Sequence, residues 1–429
     1  MQIWPAYTVA EVLDRPAGLV VTRIAGALLA LLTSPLIARA IGPEGRGLTA
    51  AAMTTLMIVP IAMGLGLPWA VRQKAANSVD VNSIIRSARL VSAFSVIPSL
   101  AVGAILVYTL FANMPAGANA WLIAGLALTP LVVHRNSIVS ALVVRSDFRR
   151  ISCINIAQPI VFFVVILGLA FLSALTVTTV VAAQTVAIAL GFLLTATFLP
   201  VSWRGPKYSI RSLVRESIAA SGAQISEIAS YRLNQLVLLP LIGSAALGFY
   251  AVAINVALAP APVGQAISSA VFGDVARAVN TERRNKVILA LQASCYLGVV
   301  IAVIISALSP VVIPWAFGSA FGPAVPATIV LAIGSVSVIC NFVLTSSLIA
   351  DGKSREASAA QFVGFAGGTV LLIALSMPFG LIGASIASAA GFWITSVVAS
   401  KALGIGLLDW VPRRPAVRAA FSILFSRGK

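Results

Sequence analysis

The chain is short of charge. Only 10% of its 429 residues are Asp, Glu, Lys or Arg, while 59% are hydrophobic. A soluble domain carries about 25% charged residues. So few charges cannot clothe a water-facing surface of this size, so lipid must be the solvent for most of it. Histidine occurs once, as His134. That excludes multi-histidine metal sites and leaves a histidine-based triad only one intramembrane candidate. The three cysteines, Cys153, Cys295 and Cys340, fall in apolar runs without metal-ligand spacing and read as small hydrophobes. The twelve acids sit mostly in loops. No nucleotide-binding glycine loop and no paired carboxylates of the glycosyl-transfer kind occur. The chain therefore reads as a non-enzyme with no cofactor and no metal, and proton or sodium coupling stays open. Residues 1–15 carry acids and a proline ahead of a long apolar run, so no cleavable signal peptide is expected.

What is present is apolar or basic. A spanning helix needs about 20 mostly apolar residues. Twelve stretches qualify: 17–40, 48–70, 88–111, 119–143, 151–172, 176–200, 217–241, 249–272, 287–310, 325–350, 357–376 and 380–403. The fold class expected is an all-α integral membrane protein of about 12 transmembrane helices. The net charge of +17 belongs with this reading rather than with nucleic acid, because polytopic proteins keep Lys and Arg on cytoplasmic loops. With a cytoplasmic N-terminus, the inward segments hold 24 of the 29 basic residues and the outward loops hold only Arg46. Arg23, Arg39, Arg135 and Arg232 fall inside the helices. This asymmetry predicts twelve spans in the cytoplasmic (inner) membrane with both termini cytoplasmic. Trp69, Trp121, Trp203, Trp315 and Trp410 lie near helix ends, as interfacial tryptophans do.

The chain also repeats. Residues 35–52 match 236–253 at five of eighteen positions: Ile41/Ile242, Gly42/Gly243, Gly47/Gly248, Ala50/Ala251 and Ala52/Ala253. The paired glycines keep their spacing in a turn between two apolar runs, where glycine accepts positive φ and allows close approach. A weaker echo pairs Leu142–Arg149 with Leu348–Arg355 at nearly the same offset. Two homologous halves follow: a six-helix bundle over 1–203, a basic Gly-Pro-broken linker over 204–215, a second bundle over 216–405 and a basic tail over 406–429. The tail reads either as a short amphipathic helix on anionic lipid or as a disordered basic segment.

Ala38-Arg39-Ala40-Ile41-Gly42-Pro43-Glu44-Gly45 with Gly47, between two apolar helices, resembles the polysaccharide-transporter family of the multidrug/oligosaccharidyl-lipid/polysaccharide (MOP) exporter superfamily. Tyr231-Arg232-Leu233-Asn234 with the second turn, Phe317–Phe321, and Phe379–Ala387 are similar to the same family. The resemblance implies two six-helix bundles around a central cavity lined mainly by helices 1, 2, 7 and 8. It implies flipping of undecaprenyl-diphosphate-linked oligosaccharide to the outer leaflet. Partners would be that lipid-linked oligosaccharide, membrane lipids, and a polysaccharide polymerase and glycosyltransferases. Similar members often carry an acid where this chain has Asn234, which puts cation coupling there in doubt.

Polar groups inside spans are the informative ones, because each costs free energy in hydrocarbon unless it faces a cavity or partner. Gln224, Glu227, Tyr231 and Asn234 recur at spacings that put them on one helical face, flanked by Arg232 and Gln235. The repeat aligns Arg23 with Gln224 and Ser34 with Gln235. These seven, Arg23, Gln224, Glu227, Tyr231, Arg232, Asn234 and Gln235, are the candidate substrate-binding set, since arginine offers forked donors to a diphosphate. Arg23 alternatively snorkels to the interface, and Glu227 alternatively pairs with Arg232. His134 and Arg135 read as structural or interfacial. Pro60, Pro260 and Pro262 fall at near-equivalent places and are the candidate hinges, because proline bends a helix. The rival readings are a cation-coupled multidrug antiporter of the same superfamily, a membrane enzyme, and a scaffold of polysaccharide assembly.

Overall fold

A computed structural model describes residues 16–76, 80–198, 201–202, 204–278 and 280–411. Of some positions inside these segments, including 222–234, only the backbone is described. Among the described residues the regular structure is all helical. The first seven helices are α1 (Pro16–Met63), α2 (Leu67–Ala76), α3 (Val81–Ala93), α4 (Val96–Thr109), α5 (Ala116–Ala127), α6 (Thr129–Val144) and α7 (Phe148–Phe171). The remaining six are α8 (Val177–Phe198), α9 (Ile210–Ala257), α10 (Ala261–Arg277), α11 (Asn280–Phe317), α12 (Ala324–Ala350) and α13 (Ser354–Ala402). Helix is what an apolar chain must adopt in lipid, because each backbone N–H finds its carbonyl within the segment. Eight of the described helical stretches are long and apolar enough to cross a membrane, and nine if the bent pair α5–α6 counts as one. The protein is thus a multi-pass membrane protein by length and composition.

Glycine divides the longest helices. The 48 residues of α1 would run about 72 Å unbroken, more than twice the hydrocarbon core. Gly42, at φ 69° and ψ −178°, breaks α1, and Gly243, at φ 81° and ψ 170°, breaks α9. These are the two glycines that the repeat pairs, and they share one backbone conformation that is nearly closed to other residues. Gly380 (φ 53°) breaks α13, and its two halves run antiparallel. Gly368 faces Gly391, Gly364 faces Thr395 and Gly383 faces the Leu375 carbonyl. Small residues let the two backbones approach, as in membrane helix pairs generally.

Several expected spans are not single rods. The stretch 48–70 stops at Met63, turns through Leu65 (φ 44°) and Gly66 (φ 74°), and restarts as α2. The stretch 88–111 divides at Phe94–Ser95, and α3 begins seven residues early, at Val81. The stretch 119–143 bends by 43° at Leu128, where Pro130 opens the next helix. These local breaks sit within apolar sequence and leave the hydropathy unchanged.

The chain separates into two compact units. The first holds residues 1–41 and 48–225; the second holds 42–47 and 226–429. The core of the first is built by Leu67, Val71, Ile84, Ile85, Leu142, Ile154 and Leu213. The core of the second gathers Val287, Leu291, Cys340, Leu344, Leu348 and Ile405. Each unit also repeats a helix-ending turn. In the first, Asp147 N donates to the Leu142 carbonyl and Ser146 N to Val143, with Ser146 at φ 55°. In the second, Lys353 N donates to Leu348 and Gly352 N to Ile349, with Gly352 at φ 75°. Both are Schellman caps, and they coincide with the weaker of the two sequence echoes.

Trp410 departs from the interfacial expectation. It is buried, donates through Nε1 to Ser400 Oγ at 3.0 Å, and lies 5.8 Å from the Trp393 ring. Trp69 and Trp315 are exposed, at 48% and 75%. Trp203 and the tail beyond Val411 lie outside the described residues.

Candidate functional site

The repeated turn is closely packed. Residues 42–47 belong to the second unit. Within the second unit a Cβ on Gly47 would run into the Ser244 carbonyl, and one on Gly248 into the Pro43 carbonyl. Arg46, assigned from loop charge to an outward loop, is only 6% exposed. A charged loop residue is counted as solvated when only sequence is in hand; here the packed turn takes it out of water.

The candidate substrate set is carried by α1 and α9. Arg23 on α1 is exposed and belongs to the first unit. Ser34 and Gln235, which the repeat aligns, are both buried, at 3% and 6%, and both are engaged in polar contacts. The side chains of Gln224, Glu227, Tyr231, Arg232 and Asn234 lie outside the described residues; their backbone is helical. The division between units falls between Ile225 and Ser226, inside this polar face. Of the hinge candidates, Pro260 stands in the short break between α9 and α10, and its carbonyl accepts from Val263 N at 2.8 Å. Pro262 lies in the first turn of α10. Pro60 lies in the last turn of α1, and its carbonyl accepts from Gly64 N at 2.9 Å.

Other polar groups inside the spans are tied to neighbouring helices. Arg135 on α6 donates to Gln158 Oε1 and to the Ile154 carbonyl of α7, each at 3.1 Å. His134 is buried, with Arg89 Nε 3.5 Å from its Nε2. In the second unit, Tyr250 OH and Ser388 Oγ lie 2.8 Å apart, joining α9 to α13. A narrow cleft, open at its mouth, lies between α12 and the two halves of α13. Asn341, Gln361, Ser388 and Thr395 give it neutral donors and acceptors, and Phe365 and Phe392 give it aromatic walls. Such a lining has the room and the polar partners for a water-sized group. The sequence reading passes over it, although Asn341 and Gln361 are amides within spans and meet the same criterion as those of α9.

Several charged residues outside the spans are paired. Asp351 meets Lys353 at 2.8 Å and also Arg283. Those partners, Lys353 foremost, hold its carboxyl below the usual carboxylate range. Lys74 lies 2.7 Å from Glu216, and that hydrogen bond raises its pKa. Among the described residues no three His, Cys, Asp or Glu side chains gather as a metal site requires.

Residues 17–272 match the family of polysaccharide biosynthesis proteins. Three solved structures resemble the whole chain. A lipid II flippase, MurJ, in its inward closed conformation superposes with a TM-score of 0.75 at 13% identity, over 95% of this chain and 93% of that one. An inward-facing multidrug resistance MATE family transporter of the MOP superfamily gives 0.64 at 15% identity, over 95% and 100%. A MOP superfamily transporter from Pyrococcus furiosus gives 0.52 at 14%, over 98% of each. At these identities the likeness concerns the fold. No curated protein matches the sequence.

Proposed function

We propose, because the chain belongs to the polysaccharide biosynthesis protein family and has the fold of MOP transporters, that it is a flippase for undecaprenyl-diphosphate-linked oligosaccharide. In this reading it is not an enzyme. It carries the headgroup from the cytoplasmic to the outer leaflet by alternating access, for surface polysaccharide assembly. The protein crosses the inner membrane twelve times, with α1, α9 and α13 each counted as two crossings at Gly42, Gly243 and Gly380. Both termini are cytoplasmic. Arg23 and Arg232 neutralise the diphosphate, and Gln224, Glu227, Tyr231, Asn234 and Gln235 take the polar remainder. Alternating access can use bends in the helices that carry the site, and the breaks next to Pro60 and at Pro260 are where α1 and α9 end.

The observation that carries the reading is the family match over residues 17–272, because the antiporter alternative shares the same fold. The experiment is a leaflet-access assay in proteoliposomes holding the purified chain and a fluorescent polyprenyl-diphosphate oligosaccharide. A membrane-impermeant quencher should reach nearly all the probe with protein and about half without it. Quenching that stays at the protein-free level, together with proton-driven uptake of cationic dyes, would replace the flippase with the antiporter.

A further inference from the structure

We infer that residues 204–216 of the first unit form a docking surface for anionic phospholipid headgroups, and that Arg86 is the residue that sets its shape. The guanidinium of Arg86 on α3 is wound about by the chain that follows α8. Its Nε donates to the Ser202 carbonyl at 3.2 Å, Nη1 to the Pro206 carbonyl at 2.9 Å and Nη2 to Ser202 Oγ at 3.2 Å. Gly205, at φ 134°, closes the loop over it; a Cβ there would stand 2.7 Å from the guanidinium carbon. Two further ties lay the segment along α3. Arg89 Nη2 donates to the Val201 carbonyl at 2.9 Å, and Ser87 Oγ donates to the Tyr208 carbonyl at 2.8 Å. Lys74 on α2 holds the far end through Glu216, with its ammonium 5.9 Å from the Tyr208 ring.

This arrangement uses up Arg86, Lys74 and Glu216, the acid of the segment. What it displays is Arg204, Lys207, Arg211 and Arg215, all exposed, and Arg72 on α2 is exposed as well. Among the described residues none of these five forms an ion pair, and Arg72 rests over the exposed Trp69 ring at 5.5 Å. Like charges held on a fixed backbone repel one another unless an anion offsets them. The segment follows the apolar helix α8 and lies along the amphipathic α3, which leads into the apolar α4, so phospholipid headgroups are the anions next to it. Several separated cations suit a surface of monoanionic heads better than one compact ligand, and juxtamembrane Lys and Arg bind such leaflets in this way.

The test uses the full chain in nanodiscs of phosphatidylcholine with increasing phosphatidylglycerol, read by melting temperature. The wild type should melt higher as the anionic fraction rises, and 1 M salt should erase the gain, because the Debye length falls to about 3 Å. Removing three charges with Lys207→Gln, Arg211→Gln and Arg215→Gln should weaken headgroup binding about fivefold per charge, about 100-fold in all, so that the gain is all but lost at every phosphatidylglycerol fraction. Melting in pure phosphatidylcholine should stay unchanged. Arg86→Lys keeps the net charge but loses the fork, and it should weaken the response as well. A full response from Arg86→Lys would remove its ordering role. Equal shifts from the linker triple variant and from Arg413→Gln, Arg414→Gln and Arg418→Gln would reduce the effect to net charge and overturn the assignment. So would inorganic pyrophosphate reproducing the gain in pure phosphatidylcholine, since that ligand is a soluble diphosphate.

Discussion

Gly47 and Gly248 meet back to back. A Cβ on Gly47 would lie 3.0 Å from Gly248 N, and one on Gly248 would lie 3.2 Å from Gly47 N. Each also faces the carbonyl of the residue that opens the other turn, Ser244 for Gly47 and Pro43 for Gly248. Under the repeat, Pro43 maps onto Ser244 and Gly47 onto Gly248, so the two contacts are images of each other. A local pseudo-twofold axis therefore relates the two turns, and the duplicated motif packs against its own copy.

Two kinds of glycine are needed at this turn, and substitution separates them. Gly47 and Gly248 lack room: even Ala must push backbone from backbone, at a cost of about 1–3 kcal/mol or more. Gly42 and Gly243 have room, with nothing within 4 Å of a Cβ, but their positive φ is strained for other residues, by about 1–3 kcal/mol. Gly47→Val and Gly248→Val should therefore yield little folded protein in detergent. Gly42→Ala should fold with a lowered melting temperature. Normal yield for both valine variants would show that the turns part without loss.

Arg135 should behave as a brace between α6 and α7. Arg135→Met removes charge-assisted bonds to Gln158 and the Ile154 carbonyl, worth about 1.5–3 kcal/mol each at most. The melting temperature should fall, and flipping per folded molecule should hold. Lost flipping at an unchanged melting temperature would move Arg135 to the substrate path.

Acid should loosen the second unit through Asp351. Its folded pKa is depressed by Lys353 and Arg283. The stability it contributes is therefore fully present above its unfolded value, near pH 4, and is lost as the pH falls through the lower folded value. Solvent screening keeps the contribution to about 1 kcal/mol. Asp351→Asn should melt lower than wild type at pH 7, and the two should converge once the pH has fallen through the depressed folded value. A constant difference across that range would mean that the ion pair contributes nothing that titrates.

Topology is testable at four points. Reporter fusions at Gly117 and Gly318 should read as outside, and those at Lys207 and Gly428 as cytoplasmic. Reversed readings at any two of them would overturn twelve crossings with both ends inside.

Composition carried the fold class, because a chain with so few charges has only lipid to fold in. The paired glycines were legible for a physical reason. Their φ of 69° and 81° admits few other residues, so duplication preserved the letter as well as the shape. Ser146 and Gly352 show the limit of that signal: the same cap is made with two residue types, and the echo in sequence is faint. The breaks at Leu65–Gly66, Phe94–Ser95 and Leu128 were not legible, since a turn between apolar residues leaves hydropathy unchanged. Burial of Arg46 and Trp410 was not legible either, because loop position predicts exposure until packing is known. The cleft at Asn341 and Gln361 was within reach, by the rule that polar side chains in spans need a partner.

Arg232 is the sharpest single test of the substrate reading. It belongs to the part of α9 that precedes the break at Gly243, about three helical turns ahead of it. An arginine at such a depth costs about 2.5–3.5 kcal/mol on insertion scales unless a partner offsets it. Two partners are open to it. If Glu227, little more than one turn away, is the partner, Arg232→Gln strands an acid and lowers the melting temperature. Glu227→Gln in the same chain should then restore stability and leave flipping intact. If the partner is the diphosphate, Arg232→Gln should fold normally and fail to flip. Arg232→Lys should keep part of the rate, since charge remains while the planar fork is lost. Flipping is read with the leaflet-access assay and normalised to folded protein. Full flipping by Arg232→Gln at normal stability would take Arg232 out of the substrate path and leave Arg23 as the remaining cation of the candidate set.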